Sequence, residues 1–341
     1  MIITRTPVRI SFGGGGTDMP SFYEKYGGAV LNATINKHFY TIYNEREDEK
    51  IQIISSDFQS LVTVDDFYSL RFGEGFDIPS AVIKHYRIYH GFDLFMASEI
   101  PPGSGLGSSG AVTVNMVRLC SHIKKEKLTS KQIAEDAYFI QRETLKLPIG
   151  KQDEYAAACG GVNFIEFSAN KVTVTPITLD PEVKARLDED LVLFFTGKTR
   201  QASEILQRQE DSAKADRQKT IDSMLRVKEN AYLQREALQQ GDLSRFGMLM
   251  DEAWQHKKKM SEGISNEFLD GIYGLARGNG ALGGKITGAG GGGYFMFYCK
   301  KADQPQLRAV LEEKNLKFLD FRLSDSGVHI LTDSNGSEVA P

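Results

Sequence analysis

The chain has 341 residues, enough for two domains of ordinary size, and its 41% hydrophobic content is that of a globular protein. A net charge of −4 excludes the basic footprint of a nucleic-acid-binding domain. Cys120, Cys159 and Cys299 are too far apart and too few for a disulfide framework or a metal-ligand spacing, and no apolar run approaches membrane-span length, so a soluble cytoplasmic protein is expected.

In chain order, Ile2 to Phe12 alternates as a strand pair or bent strand and runs into Gly13-Gly14-Gly15-Gly16-Thr17-Asp18. Consecutive glycines are a costly way to make a plain turn and suit backbone that must approach a ligand. Thr17 and Asp18 then offer a hydroxyl and a carboxylate able to read sugar hydroxyls, or alternatively an N-cap for a helix over Met19 to Tyr26. Residues 28–70 read as antiparallel strands, and Pro79 to Tyr89 as a helix. His85 and His90 have no partner ligand nearby and are expected at the surface or in packing.

Asp93 to Ile100 reads as a strand, followed by Pro101-Pro102-Gly103-Ser104-Gly105-Leu106-Gly107-Ser108-Ser109-Gly110-Ala111. Val112, Met116, Leu119 and Ile123 then keep to one helix face. A strand, a glycine loop and a helix start gather backbone N–H groups and the positive end of a helix dipole at one point, the natural seat of a phosphate. Gly105-x-Gly107-x-x-Gly110 also satisfies GxGxxG, but the chain beyond lacks the strand with a terminal acidic residue that dinucleotide binding needs. A Walker A loop needs Lys-Ser/Thr after the last glycine, which is absent. A plain turn with two capping serines stays open.

Ser130 to Leu147 reads as a helix capped by Ser130 and ended before Pro148, and Gly150-Lys151-Gln152-Asp153 as a turn into a small-residue helix, where the Asp153 carboxylate gains from the helix N-terminus. Glu143 lies ten positions earlier, so one loop can bring two carboxylates to opposite sides of a phosphate; a capping Asp and a solvated Glu are the plainer reading. Val162 to Pro176 reads as a hairpin, and the charged stretch from Asp180 to Asp190 separates the halves, with the boundary at 185/186. A buried-type strand, Leu191 to Thr196, delivers Gly197-Lys198-Thr199-Arg200, cations suited to an anionic substrate group or to a solvated turn. Residues 201–259 read as two or three charged helices broken near Gly241, with Lys257-Lys258-Lys259 as a solvated face. A helix over 265–277 leads into a glycine-rich stretch around Lys285, ending in Gly288-Ala-Gly290-Gly291-Gly292-Gly293 before an apolar strand. A helix over 304–313 and strands over 317–323 and 328–331 complete the second domain, 186–332, and residues 333–341 read as a loose tail.

Three of these stretches together resemble the motifs of the GHMP kinases, small-molecule kinases that include galactokinase and mevalonate kinase. Pro7-x-Arg9-Ile10-Ser11-Phe12-Gly13 to Asp18 is similar to the first motif, with glycines where galactokinase-like members carry Glu-His, as in the branch acting on heptose phosphates and fucose. Pro101 to Ala111 resembles the phosphate loop, with Gly110 where alanine is usual, and Lys285-x-Thr287-Gly288 to Gly293 the third motif. The resemblance implies an α+β fold with an N-terminal domain (1–185) like the second domain of ribosomal protein S5 and a C-terminal ferredoxin-like α/β sandwich. It implies ATP held by Pro102 to Gly110, Mg2+ on Ser109 and Glu143, Asp153 as catalytic base and Arg9 beside it. Gly15, Gly16, Thr17, Asp18, Gly288, Gly290 and Gly291 would meet the acceptor, with Arg200 and Lys198 on a phosphate already attached to it. The implied reaction is phosphorylation of the anomeric hydroxyl of a sugar phosphate, a heptose phosphate foremost. A fucokinase-like sugar 1-kinase and a non-catalytic binding regulator are the alternatives, and the oligomeric state is left open.

Overall fold

The structure is a computed structural model that describes residues 1–73, 75–197, 203–215 and 217–334. Its first half runs β1 (Ile2–Gly13), α1 (Pro20–Tyr26), β2 (Gly28–Glu45), β3 (Ile51–Ser55), β4 (Ser60–Val64), α2 (Asp77–Tyr86), β5 (Phe92–Ser98), α3 (Ser108–Ile123), α4 (Ser130–Phe139), α5 (Gln152–Cys159), β6 (Val162–Ser168) and β7 (Lys171–Pro176). Its second half runs α6 (Pro181–Asp190), β8 (Leu191–Phe195), α7 (Ser203–Lys214), α8 (Gln218–Gln239), α9 (Leu243–Lys257), α10 (Glu267–Gly278), β9 (Ala281–Ile286), β10 (Tyr294–Cys299), α11 (Gln304–Glu312), β11 (Lys317–Leu319), β12 (Leu323–Ser324) and β13 (His329–Asp333).

The long strand β2 is the spine of a nine-stranded sheet. Its first residues pair with β6, its last with β5, and β1 runs antiparallel along most of its length. The helices α3 and α5 pack on β1 and β2, which sets the start of α3 and the start of α5 side by side. The second sheet has the order β11-β8-β10-β9, all antiparallel, with helices in the β8-to-β9 and β10-to-β11 crossovers. This is the expected ferredoxin-like arrangement. Its central strands, Leu191–Phe195 and Tyr294–Cys299, are unbroken apolar runs because nearly every side chain on them is buried.

Three local expectations change. The last strands do not complete the second sheet: β12 pairs with β2 and β13 with β1, so the chain returns to the first sheet and covers an edge that would otherwise expose unpaired backbone. The helix at 130 is capped by Thr129, which accepts from the Gln132 N–H while the Gln132 side chain takes the Thr129 N–H. It ends at Phe139, beyond which the backbone widens into a π-helical turn, Ile140–Thr144, that carries Glu143. Cys120 and Cys299 are buried and all three thiols are free.

Candidate active site

Strand β1 points Arg9 inward, and the Arg9 N–H donates to the Leu106 carbonyl of the phosphate loop at 3.0 Å. The guanidinium is nearly inaccessible, so each N–H needs a partner. Nε donates to Asp153 Oδ1 at 2.8 Å, Nη2 lies 2.7 Å from the same oxygen, and Nη1 donates to the Gly105 carbonyl at 2.7 Å. One buried arginine therefore ties the carboxylate of α5 to the loop before α3. Asp153 sits in the first turn of α5, its side chain partly open to the cleft. Its neighbour Gln152 is held by Ser11, whose hydroxyl donates to Oε1 at 2.9 Å. Asp18 accepts from the N–H of Gly16 at 2.9 Å and of Gln152 at 3.0 Å, which fastens the first glycine loop to the start of α5. Burial pushes the Asp18 carboxyl up, against the pull of those two N–H groups.

The loop before α3 lies backbone to backbone against the third glycine loop, with the Thr287 hydroxyl beside the contact. A Cβ on Gly105 would stand 2.5 Å from the Thr287 carbonyl oxygen, and one on Gly288 would stand 2.9 Å from the Gly105 Cα. Gly110 is as constrained: a Cβ there would fall 2.7 Å from the Asp153 Cβ, so the glycine in place of the family's alanine lets α3 and α5 approach. The hydroxyls of Ser104 and Ser108 are buried and have no hydrogen-bond partner among the described residues.

These loops enclose a cleft of about 470 Å³. Pro102, Gly103, Gly105 and Gly107 to Ser109 line it, as do Arg9, Asp153, Gly15, Gly16, Asp18, Gly288 and Gly290. Beyond the phosphate loop it ends in an apolar pocket with Phe39, Met96 and Ile100 on its wall; at the other end stand Met19, Leu206, Gln209 and Lys257. Ser104, Leu106 and Gly110 lie behind the cleft surface and are buried.

Several expected site residues are not brought there. The Thr17 hydroxyl is inaccessible and lies 2.8 Å from the Gly14 carbonyl and 3.0 Å from that of Ala29, whose N–H it accepts at 3.1 Å, so it builds the loop and has nothing left for a ligand. Gly291 spends its N–H on the Ile264 carbonyl at 2.7 Å and does not line the cleft. Glu143 does not line it either: the π turn leaves its side chain 53% exposed, paired with Lys146 at 3.2 Å. Arg200 and Lys198 lie outside the described residues.

Two further residues, Lys257 and Gln209, line the cleft. Lys257, read as solvated, is 4% exposed and faces the cleft; burial pushes its ammonium down to about 8, with Arg9 adding to the effect and Asp18 and Asp153 opposing it. The signal was its register, because Phe246, Met250, Ala253 and Trp254 form the buried stripe of α9 and Lys257 continues it. Gln209, on the buried stripe of α7 with Ile205 and Ala213, is 2% exposed with Nε2 unpartnered among the described residues.

A glycine loop at a helix N-terminus, joined by a buried arginine to a carboxylate on the same cleft, has the parts that an ATP-dependent phosphotransferase needs. The chain belongs to the GHMP kinases: the family models for the GHMP kinase N-terminal domain and C-terminal domain match residues 77–161 and 234–316. It is 35% identical over 333 residues to D-glycero-alpha-D-manno-heptose 7-phosphate kinase of Campylobacter jejuni, covering 96% of this chain and 98% of that one. It is 26% identical over 326 residues to the bifunctional fucokinase/GDP-fucose pyrophosphorylase of Arabidopsis thaliana, covering 90% of this chain and 31% of that protein. The crystal structure of a D-glycero-D-manno-heptose 1-phosphate kinase from Bacteroides thetaiotaomicron superposes with a TM-score of 0.82 at 28% identity, covering 98% and 99% of the two chains.

Proposed function

We propose that this kinase transfers the γ-phosphoryl group of ATP to the anomeric hydroxyl of a sugar phosphate, D-glycero-D-manno-heptose 7-phosphate foremost, yielding the 1,7-bisphosphate and ADP. The observation that carries the reading is the Arg9 bridge, because it holds Asp153 at a fixed place beside the phosphate loop. Phosphoryl transfer draws its catalysis mainly from positioning and charge neutralisation. The nucleoside would lie in the apolar pocket, with the N–H groups of the loop and of the α3 start on its phosphates. The acceptor oxygen attacks the γ-phosphorus, the bond to the β-phosphate oxygen breaks, and Asp153 takes the hydroxyl proton. Arg9 keeps that carboxylate aimed and offsets charge on the phosphoryl oxygens. Asp18 and the backbone of Gly15, Gly16, Gly288 and Gly290 would border the sugar.

The orphaned Ser108 hydroxyl and the neighbouring Ser109 are hard oxygen donors that fit Mg2+ arriving on the nucleotide, whose phosphates would supply further ligands. Bound there, the ion would neutralise phosphate charge. Glu143 fits the same ion only after releasing Lys146 and turning toward the cleft. The second reading, a fucokinase-like sugar 1-kinase, draws support from the similarity to the bifunctional fucokinase/GDP-fucose pyrophosphorylase of Arabidopsis thaliana.

The test is ADP release with heptose 7-phosphate, the unphosphorylated heptose, L-fucose and D-galactose, with 31P spectra to locate the new phosphate. The heptose phosphate is expected to exceed the others in kcat/KM by at least tenfold, with Asp153→Asn abolishing turnover. Preference for fucose or for an unphosphorylated sugar would replace this reading with the second. If Arg200 grips the attached phosphate, Arg200→Ala raises KM for the phosphorylated sugar far more than for its unphosphorylated counterpart.

A further inference from the structure

Three glycine loops meet at the side chain of Lys257. Nζ donates to the Gly288 carbonyl at 2.6 Å, and the backbone of Gly288 touches Gly105 of the phosphate loop. A Cβ built on Gly15, in the first loop, would stand 3.6 Å from the same Nζ. The ammonium thus occupies the junction of the loop that seats the phosphates with the two loops that border the acceptor. An ammonium has three donors, and one carbonyl satisfies one of them. Among the described residues Lys257 makes no ion pair, although it is almost fully buried. A buried cation held by no direct ion pair is costly, and this one lines the cleft. The charged groups that face it from the surrounding elements are Arg9 of β1, Asp18 after the first loop, Asp153 of α5 and Lys285 of β9. The set carries three cations with Lys257 against two carboxylates, and Lys257 pairs with neither, so an anionic substrate in the cleft would complete its surroundings.

We propose that Lys257 donates to a nonbridging oxygen of the phosphoryl group in transit, in addition to Arg9. The C-terminal half thereby delivers a cation to the reacting centre from the last turn of α9. Charge on those oxygens is then shared between Arg9 and Lys257, which line the same cleft.

The inference rests on the phosphotransferase assignment and not on the identity of the acceptor. Its first test therefore needs no acceptor: calorimetric binding of ADP and of the nonhydrolysable ATP analogue AMPPNP, each with Mg2+, to wild type, Lys257→Met and Lys257→Arg. Lys257→Met is expected to weaken AMPPNP at least tenfold and ADP less than threefold. With any acceptor that turns over, Lys257→Met lowers kcat at least 100-fold and leaves the acceptor KM within threefold, and Lys257→Arg recovers at least tenfold of the loss. In the wild type kcat/KM falls as pH rises through about 8, where the free enzyme loses the Lys257 proton; in Lys257→Arg that limb is absent below pH 10. Equal weakening of ADP and AMPPNP would overturn the proposal. So would an unchanged kcat with a raised KM for a phosphorylated acceptor, which would assign Lys257 to the phosphate already on the sugar. Melting curves for both variants separate these outcomes from misfolding.

Discussion

The position of Asp153 depends on what residue 110 lacks. The start of α3 and the start of α5 are so close that a methyl group on Gly110 would fall 2.7 Å from the Asp153 Cβ, and because both belong to helix backbones neither can turn aside like a flexible side chain. Gly110→Ala is predicted to lower kcat at least tenfold through displacement of the carboxylate from Arg9, with a smaller change in the KM for ATP; steady-state kinetics checks it, and wild-type kcat would show that α5 yields freely. Thr17 behaves differently. Its hydroxyl ties the first glycine loop to Ala29, so Thr17→Val leaves buried backbone groups unpaired and is predicted to cost about 1–3 kcal/mol in urea unfolding. Its acceptor KM should stay within threefold, whereas a residue gripping the sugar would raise it far more.

At the scale of elements, α7 forms one end of the cleft through Leu206 and Gln209, and it is held by charge. Glu210, with a side chain only 3% exposed, receives both terminal nitrogens of Arg142, which sits in the π turn, and lies 2.9 Å from Lys214. Burial alone would raise the Glu210 carboxyl, but the hydrogen bonds from Arg142 and Lys214 outweigh it and hold it below the usual carboxylate range. A carboxyl depressed in the folded state contributes stability above its unfolded value, and that contribution is lost as pH falls through the folded value. Arg142→Met leaves the buried carboxylate with one exposed lysine, a change that costs about 3–5 kcal/mol for a broken buried pair. Amide exchange across Ser203–Lys214 is predicted to accelerate and the acceptor KM to rise, with Arg142→Met/Glu210→Gln recovering part of both. Unchanged exchange in α7 would show that its apolar residues suffice.

At the scale of the molecule, the two sheets share a core. Phe12 of β1 packs edge-on against Phe246 of α9, with ring centroids 5.3 Å apart, and Leu193, Met296 and Tyr298 of the second sheet join the same buried cluster as Ile10 and Leu31 of the first. The terminal strand adds a second link, since β13 follows the second sheet in the chain yet closes the edge of β1. Unfolding is therefore predicted to be a single transition. Ile330→Ala, which empties a buried site on β13, should shift that transition as a whole by about 2–5 kcal/mol. Two transitions, only one of them sensitive to residue 330, would mean that the halves unfold independently.

The sequence by itself determined the three glycine loops and the strand and helix that flank the central one, whereas the contact of Arg9 with Asp153, 144 residues apart, is made only by the fold. The loops and their flanks are local matters: turn geometry, periodicity and helix starts are written in neighbouring residues, and the motifs kept their order along the chain. Only the tertiary structure decided which polar groups face the cleft. Lys257 stands in a run of three lysines that suggests solvent, but the stripe it continues is buried, and its carbonyl partner lies 31 residues further on. Thr17 finds its partners across a loop closed by β2, and Glu143 is turned outward by a widened helical turn. The last strands left the second sheet because an open edge on β1 needed covering. A polar side chain is a ligand or a brace according to the partners that folding brings to it, and those partners are distant in sequence.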